Sequence, residues 1–164
     1  PCQIVGCTSG TVGSPGELKG RFLSTHALGS ICINSKTGVY GRTRAAFSGP
    51  ELEMAFAQEV VPGDAEIWTT VDGEVPKAYR IRIEKVNDAD PHRNMILRVT
   101  DRQLLAKTGG IVQGMSGSPI LQDGRIVGAV THVFVSDPTQ GYGVFIDWML
   151  QQSDALSAQQ SEAA

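Results

Sequence analysis

Short apolar and β-branched runs, separated by turns rich in glycine and proline, are the main pattern along this chain. The clearest run is 79–84, where Tyr79, Ile81 and Ile83 alternate with charged residues. Such alternation is typical of an antiparallel strand with one face in water. Asp72-Gly73 follows an apolar run at 67–71 and is a strong hairpin signal. Further strands are predicted at 3–8, 21–23, 29–33, 39–43, 95–100, 120–122, 125–135 and 142–145.

Two segments carry helix signals instead. Asp101 stands at the N-cap position of 101–107, Lys107 lies in its last turn, and Gly109-Gly110 would end it. A second helix is predicted from Ile146 to about Leu156, followed by a small polar tail that we expect to fray. The pattern therefore predicts a mainly β domain with one short helix and one C-terminal helix.

One segment and one turn depend on weaker signals. Residues 51–60 have a helix-forming composition, but Leu52, Met54 and Phe56 alternate with polar residues and a Pro62-Gly63 turn follows. We interpret this segment as a strand. Asp137-Pro138 predicts a turn before the last strand.

The amino-acid composition limits the classes of protein to which the chain can belong. The chain has 164 residues, of which 41% are hydrophobic, with 19 Gly and 8 Pro, which fits one turn-rich globular domain. Its net charge of −3 lacks the excess of Lys and Arg that is typical of nucleic-acid-binding domains, so no nucleic-acid partner is expected. No apolar run approaches the roughly 20 residues needed to cross a bilayer. Because the sequence begins with Pro1 rather than Met, we expect it to be part of a longer protein.

The three cysteines do not have the spacing of a zinc site, so neither a metal nor a cofactor is expected. Cys2 and Cys7 could form a small-loop disulfide, or they could be small buried hydrophobic residues. Both readings stay open, as does the state of Cys32.

The candidate chemistry lies in the stretch GMSGSP at 114–119. Glycines around a serine allow a tight turn in which backbone amides converge on an oxyanion, as in nucleophilic serine sites. The alternative is an ordinary turn between two strands. Ser116 is preferred over Ser118 as nucleophile because Gly117 follows it, whereas Ser118 precedes Pro119.

A serine nucleophile needs a base, and none of the three histidines stands in a context that marks one. His26 and His92 lie in predicted surface loops, and His132 lies in an apolar strand, where a histidine is more often a core residue. Asp101 could cap its helix and also accept a hydrogen bond from an imidazole, so its two roles are compatible.

Several motifs together resemble one peptidase family. They are KTGGIVQGMSGSPI at 107–120, GAVTHVFV at 128–135, the DPT and GYG elements within 137–143, WML at 148–150, GSPGE with Lys19-Gly20 at 13–20, and Thr100-Asp101. Together they are similar to the SpoIVB peptidases, the sporulation stage IV serine peptidases of spore-forming bacteria. The resemblance covers nearly the whole chain.

The resemblance implies a chymotrypsin-like double β-barrel that is incomplete at its N-terminus. It implies a peptidase domain over 1–152, with the helix end and tail at 153–164. It places the catalytic serine on Ser116 and the catalytic aspartate on Asp101. The amides of Gly114 and Ser116 would form the oxyanion hole.

The catalytic histidine of the family lies in an upstream Ala-Leu-Gly-His motif, which this sequence lacks. Ala27-Leu28-Gly29 is followed by Ser30 instead. The resemblance therefore implies a C-terminal fragment without its base, with little activity of its own. Two alternatives are an intact peptidase that uses His26 or His132, and a non-catalytic domain that only binds peptides.

For the parent protein, the resemblance implies regulated proteolysis in sporulation signalling. The substrates would be the protein itself and a membrane-associated regulator that restrains processing of the sigma-K precursor. The location would be the space between the forespore and mother-cell membranes, with membrane association through the upstream segment.

Overall fold

The computed structural model describes residues 2–44, 46, 51–87, 89–90 and 92–161. Four strands come first, arranged as two hairpins: β1 (Cys2–Thr8), β2 (Glu17–Phe22), β3 (Gly29–Ser35) and β4 (Gly38–Thr43). After a 3₁₀ turn at Ala57–Glu59 come β5 (Gly63–Thr69), β6 (Lys77–Val86), β7 (Met95–Val99) and helix α1 (Arg102–Thr108). The chain continues with β8 (Pro119–Gln122), β9 (Arg125–Phe134), β10 (Asp137–Phe145) and helix α2 (Ile146–Ser161).

Strands β5 to β10 close into an antiparallel barrel in the order β5-β6-β7-β10-β9-β8, with β8 returning to β5. The predicted alternation decides which side chains face inward: Ile67, Ile81 and Ile83 are buried, while Arg80 and Arg82 point outward. Closure leaves no free edge in the barrel. The predicted fold class is confirmed, since a mainly β chain with a closed six-stranded barrel and two helices is consistent with a chymotrypsin-like barrel.

The two hairpins precede the barrel as separate two-stranded sheets. The β1–β2 hairpin is tied to the barrel by main-chain hydrogen bonds, in which Leu18 N donates to Gln113 O and Gln113 N donates to Gly16 O, both at 2.8 Å. The tip of the β3–β4 hairpin faces α2, where the Met149 side chain lies next to Gly38. Both hairpins therefore reach the part of the barrel that leads into the serine loop.

Helix α1 begins and ends as predicted. The Asp101 carboxylate accepts from the backbone amides of Gln103 and Leu104, and Gly109 ends the helix in the left-handed region at φ 73°. Leu104 is fully buried and packs the helix onto the core. Capping at both ends holds a helix that is too short to form alone.

The predicted strand at 51–60 is wrong. Met54 makes a single bridge to Ile126, and Ala57–Glu59 form a 3₁₀ turn. The alternating Leu52 and Phe56 side chains are exposed, so the alternation did not mark a buried face. The turn is held both by Phe56 N, which donates to the Glu59 carboxylate within it, and by Ala57 N, which donates to the distant Asp147 carboxylate.

Two boundaries near the C-terminus also differ from the prediction. Asp137-Pro138 does not form a turn: it begins β10, and the turn falls at 135–136. Proline is tolerated there because the pairing of β10 with β9 is interrupted between Asp137 and Gly141, so no ladder amide is required.

Helix α2 continues past Leu156 to Ser161, since this run contains neither glycine nor proline. The remaining tail, 162–164, lies outside the described residues.

None of the helices in the described ranges has both the length and the apolar character needed to span a bilayer.

Candidate active site

The serine loop is shaped by two glycines and one buried side chain. Gly114 and Gly117 have φ values of 99° and 87°, a region that favours glycine. Between them, Met115 is fully buried in the core and its amide donates to Val112 O at 3.1 Å. Because Met115 points inward, the next side chain, Ser116, points outward and is exposed.

The Ser116 hydroxyl is held by the main chain of the neighbouring strand. Its Oγ donates to the carbonyl oxygen of Thr131 on β9 at 2.7 Å. Ser118, in contrast, is buried, and its amide and carbonyl bond to Met115 O and Val130 N. Of the two serines, Ser116 is therefore the one that a substrate can reach.

The turn leaves two amides open beside Ser116. In the described part of the chain, the amides of Met115, Gly117 and Ser118 all donate to backbone carbonyls, whereas those of Gly114 and Ser116 have no recorded acceptor. Both residues are solvent-exposed. The oxyanion-hole role that the sequence resemblance implied for these two amides stays a prediction.

A cavity of about 550 Å³ lies in front of Ser116. The barrel provides its floor through small and apolar residues of β9 and β10, and the tip of the β3–β4 hairpin and α2 provide the facing wall. The lining includes Ser116, Gly117, Thr131, His132, Val144, Lys36, Thr37 and Met149.

The hairpin wall is held in place by a small hydroxyl network. Tyr40 Oη donates to Thr37 Oγ1 at 2.9 Å, and Ser35 Oγ lies 3.0 Å from the same atom. Thr37 and Tyr40 are buried although they lie beside a turn. No sequence signal predicted this wall, because the hairpin lies about eighty positions before the serine and carries no known motif.

The structure brings one of the three histidines near the nucleophile. His132 is exposed and lines the same cavity as Ser116, whereas His26 bonds to its own neighbour Ser24 at 3.2 Å and His92 sits in the loop before β7. Among the described residues, no histidine nitrogen is hydrogen-bonded to Ser116, whose hydroxyl is turned to Thr131 O. Ser116 is therefore an exposed serine without an engaged base.

Asp101 caps helix α1. Its carboxylate accepts from the amides of Gln103, Leu104 and Arg80 at 2.9, 3.1 and 3.3 Å, and it is not among the residues that line the cavity. Burial acts to raise the pKa of Asp101, but the amide hydrogen bonds and the Arg80 guanidinium outweigh it and lower that pKa. The catalytic role that the resemblance implied for Asp101 stays a prediction.

The described ranges contain no cluster of three or more His, Cys, Asp or Glu side chains that could hold a metal ion. Cys2, Cys7 and Cys32 are all free thiols. Burial raises the pKa of Cys7, while the charge of Lys107 opposes this.

Comparison with known proteins identifies the family of the chain. The family model described as SpoIVB peptidase S55 matches residues 1–150. No curated protein and no solved structure matches the chain.

Proposed function

The chain belongs to the SpoIVB peptidase family, and we propose that it carries the nucleophilic half of a serine endopeptidase site centred on Ser116. The single observation that carries this proposal is the exposed Ser116 hydroxyl beside two unbonded amides, those of Gly114 and Ser116. Open amides next to a reachable serine hydroxyl are what stabilisation of an oxyanion at that serine requires.

The reaction is an acyl transfer. A base removes the proton from Ser116 Oγ as this oxygen attacks a peptide carbonyl, and the amides of Gly114 and Ser116 stabilise the resulting oxyanion. The protonated base then gives its proton to the leaving amine. Water hydrolyses the acyl-enzyme by the same route and restores the free hydroxyl.

The base comes from the upstream segment that carries the Ala-Leu-Gly-His motif. This segment fills the cavity in front of Ser116. Two features support this. The cavity is large enough for a side chain that reaches Ser116, and the β3–β4 hairpin beside it exposes Ile31 and Val39. Exposed apolar side chains on two-stranded sheets fit a surface that further strands would cover. Without this segment the serine is a weak nucleophile near neutral pH.

The biological role that we propose follows from the family alone. The protein would cleave itself and a membrane-associated regulator, and would thereby trigger sigma-K precursor processing in the space between forespore and mother cell. Regulated proteolysis of this kind requires a peptide substrate and no nucleic acid.

Adding the upstream segment tests the proposal. The 164-residue chain alone should cleave peptides very slowly. A longer protein that includes the upstream Ala-Leu-Gly-His segment should be active. Ser116→Ala should abolish that activity, while Ser118→Ala, the matched control in the same loop, should retain the chemistry if the loop stays folded. Equal activity of the short and long proteins would show that the base lies within this chain, and His132→Ala would then identify it.

A non-catalytic peptide-binding domain predicts a different result. Such a domain would bind peptides in both the short and the long protein without cleaving them. Ser116→Ala would then change neither binding nor turnover.

A further inference from the structure

We propose that a cavity beside the β5–β6 connection binds a small oxyanion, either a carboxylate or inorganic phosphate. The cavity has a volume of about 180 Å³ and lies between β6, the connection 70–76 and helix α1. At about 30 Å³ for each water molecule it holds roughly six waters, so it fits a phosphate ion or the end of an acidic side chain. Among the described residues, none lines both this cavity and the one in front of Ser116, so the proposal does not depend on the proposed function.

The Tyr79 side chain points to a ligand in this cavity. Tyr79 lies on the inward face of β6, is only 8% exposed and lines the cavity. In the described part of the chain its hydroxyl has no hydrogen-bond partner. The polar side-chain atoms that are fully buried without a partner there are His92 Nδ1 and Asp147 Oδ1, so the Tyr79 hydroxyl is still open on one side. A tyrosine this deeply buried normally finds a partner for its hydroxyl, and the cavity is where a ligand can supply one.

The Tyr79 hydroxyl is a donor at neutral pH. Burial raises the pKa of Tyr79 above its ordinary value, although the charge of Lys107 opposes this. The hydroxyl therefore keeps its proton and can donate it in a hydrogen bond to an acceptor oxygen. A bond to a charged acceptor is stronger than one to a neutral acceptor.

The other polar groups of the lining favour an anion. The ammonium groups of Lys77 and Lys107 and the carboxylate of Asp72 line the cavity, which leaves a net charge of +1. Asp72 is 75% exposed and bonds to Lys107 at 2.8 Å, whereas Lys77 forms no salt bridge within the described ranges. Gln103 lies one turn before Lys107 on α1 and lines the same cavity, where its amide adds two donors. A cation would instead need several oxygen ligands with negative charge.

The cavity wall is held in place by bonds to two other elements. Gly73 N donates to Ile4 O at 3.0 Å and Ile4 N donates to Gly73 O at 2.7 Å, which ties the connection 70–76 to β1. The bond between Asp72 and Lys107 ties the same connection to α1. Donors that are already positioned lose little entropy when a ligand binds.

Nuclear magnetic resonance titration of the 164-residue chain tests the proposal. The probes are inorganic phosphate, acetate and the amide of N-acetylglutamate, each compared with sodium chloride at equal ionic strength. We expect saturable shifts of the amides at 71–79 and 103–107, with a Kd of about 1–10 mM. Binding of phosphate alone would identify a free tetrahedral anion as the ligand. Binding of acetate and the blocked glutamate would identify a carboxylate, such as that of a peptide side chain.

Three substitutions in the cavity have effects of different sign. Tyr79→Phe keeps the buried ring but removes the hydroxyl, and should raise the Kd about tenfold or more. Lys77→Met should raise the Kd severalfold because it removes a positive charge. Asp72→Asn should lower the Kd, since it removes the one carboxylate of the lining and releases Lys107.

Two variants outside the cavity serve as controls. Tyr40→Phe removes a hydroxyl from the β3–β4 hairpin and Lys85→Met removes an exposed ammonium group from β6. Neither residue lines the cavity, so both variants should bind the anion with the Kd of the wild type.

The absence of saturable binding for all three probes would overturn the proposal, as would shifts that map outside 71–79 and 103–107. A Tyr79→Phe chain that binds as tightly as the wild type, or is weakened no more than Tyr40→Phe, would overturn it too. Failure of the proposed function is seen separately, because it is read from the activity of Ser116→Ala and not from anion binding.

Discussion

Two glycines with nearly the same backbone angle allow the packing of α1 against the first hairpin to be tested. Gly109 and Gly124 have φ values of 73° and 78°, so an added Cβ costs each of them about 1–2 kcal/mol for the left-handed conformation. A Cβ on Gly124 meets nothing within 4 Å, whereas a Cβ on Gly109 would lie 2.3 Å from Gly10 O. Only Gly109→Ala therefore produces a clash with the backbone.

The clash determines the expected difference between Gly109→Ala and Gly124→Ala. Gly10 is buried, and its amide donates to Thr108 O at 2.8 Å, so relief of the clash requires this bond to break. An unsatisfied buried amide costs about 1–3 kcal/mol. Gly109→Ala should therefore lose roughly 2–5 kcal/mol and Gly124→Ala roughly 1–2 kcal/mol.

Urea unfolding of both variants, followed by circular dichroism, measures the two costs. Each kcal/mol also corresponds to about 2–4 °C in Tm for a chain of this size. Equal destabilisation of the two variants would refute the packing of Gly10 onto the end of α1.

Three further predictions concern the core and one carboxylate. Met115→Ala should lose about 2–5 kcal/mol in urea unfolding, because this side chain is fully buried; a loss below about 1 kcal/mol would contradict its role as the anchor of the serine loop. Asn94→Ala should lose about 1–3 kcal/mol, since Asn94 Oδ1 accepts from the buried Phe145 amide at 3.0 Å; an unchanged Tm would show that this amide has another acceptor. The lowered pKa of Asp101 means that its charge stabilises the fold above its ordinary pKa of about 3.9 and that this contribution is lost as pH falls through the lowered value. Wild type should therefore lose more stability than Asp101→Asn between pH 6 and pH 2, and parallel pH curves would contradict the shift.

The sequence predicted correctly those elements that are held by interactions between residues close together in the chain. The alternation around Ile81 and the capping of α1 by Asp101 each depend on residues within a few positions, and both are confirmed. The hairpin predicted at Asp72-Gly73 joins β5 to β6, but its connection covers 70–76 and Gly73 also bonds to distant Ile4. The segment 51–60 failed for the opposite reason. It is held by distant partners, such as Asp147, whose carboxylate accepts from Ala57 N at 2.8 Å.

The candidate site could be predicted only in part, for the same reason. The glycines of the serine loop predict a sharp turn with Ser116 at its tip, and the structure shows that turn. The acceptor of the Ser116 hydroxyl is a main-chain carbonyl, that of Thr131, and main-chain groups carry no sequence signature. The β3–β4 wall of the cavity likewise depends on long-range packing. Of the two roles that the sequence leaves open for Asp101, the structure shows the helix cap.

The central claim, that Ser116 is the nucleophile, is tested most directly by mapping a fluorophosphonate adduct by mass spectrometry in the longer protein that carries the upstream histidine. One adduct is expected, on Ser116, which is lost in Ser116→Ala and kept in Ser118→Ala. Labelling of the 164-residue chain alone should be much slower. An adduct on Ser118, or labelling that persists in Ser116→Ala, would contradict the claim.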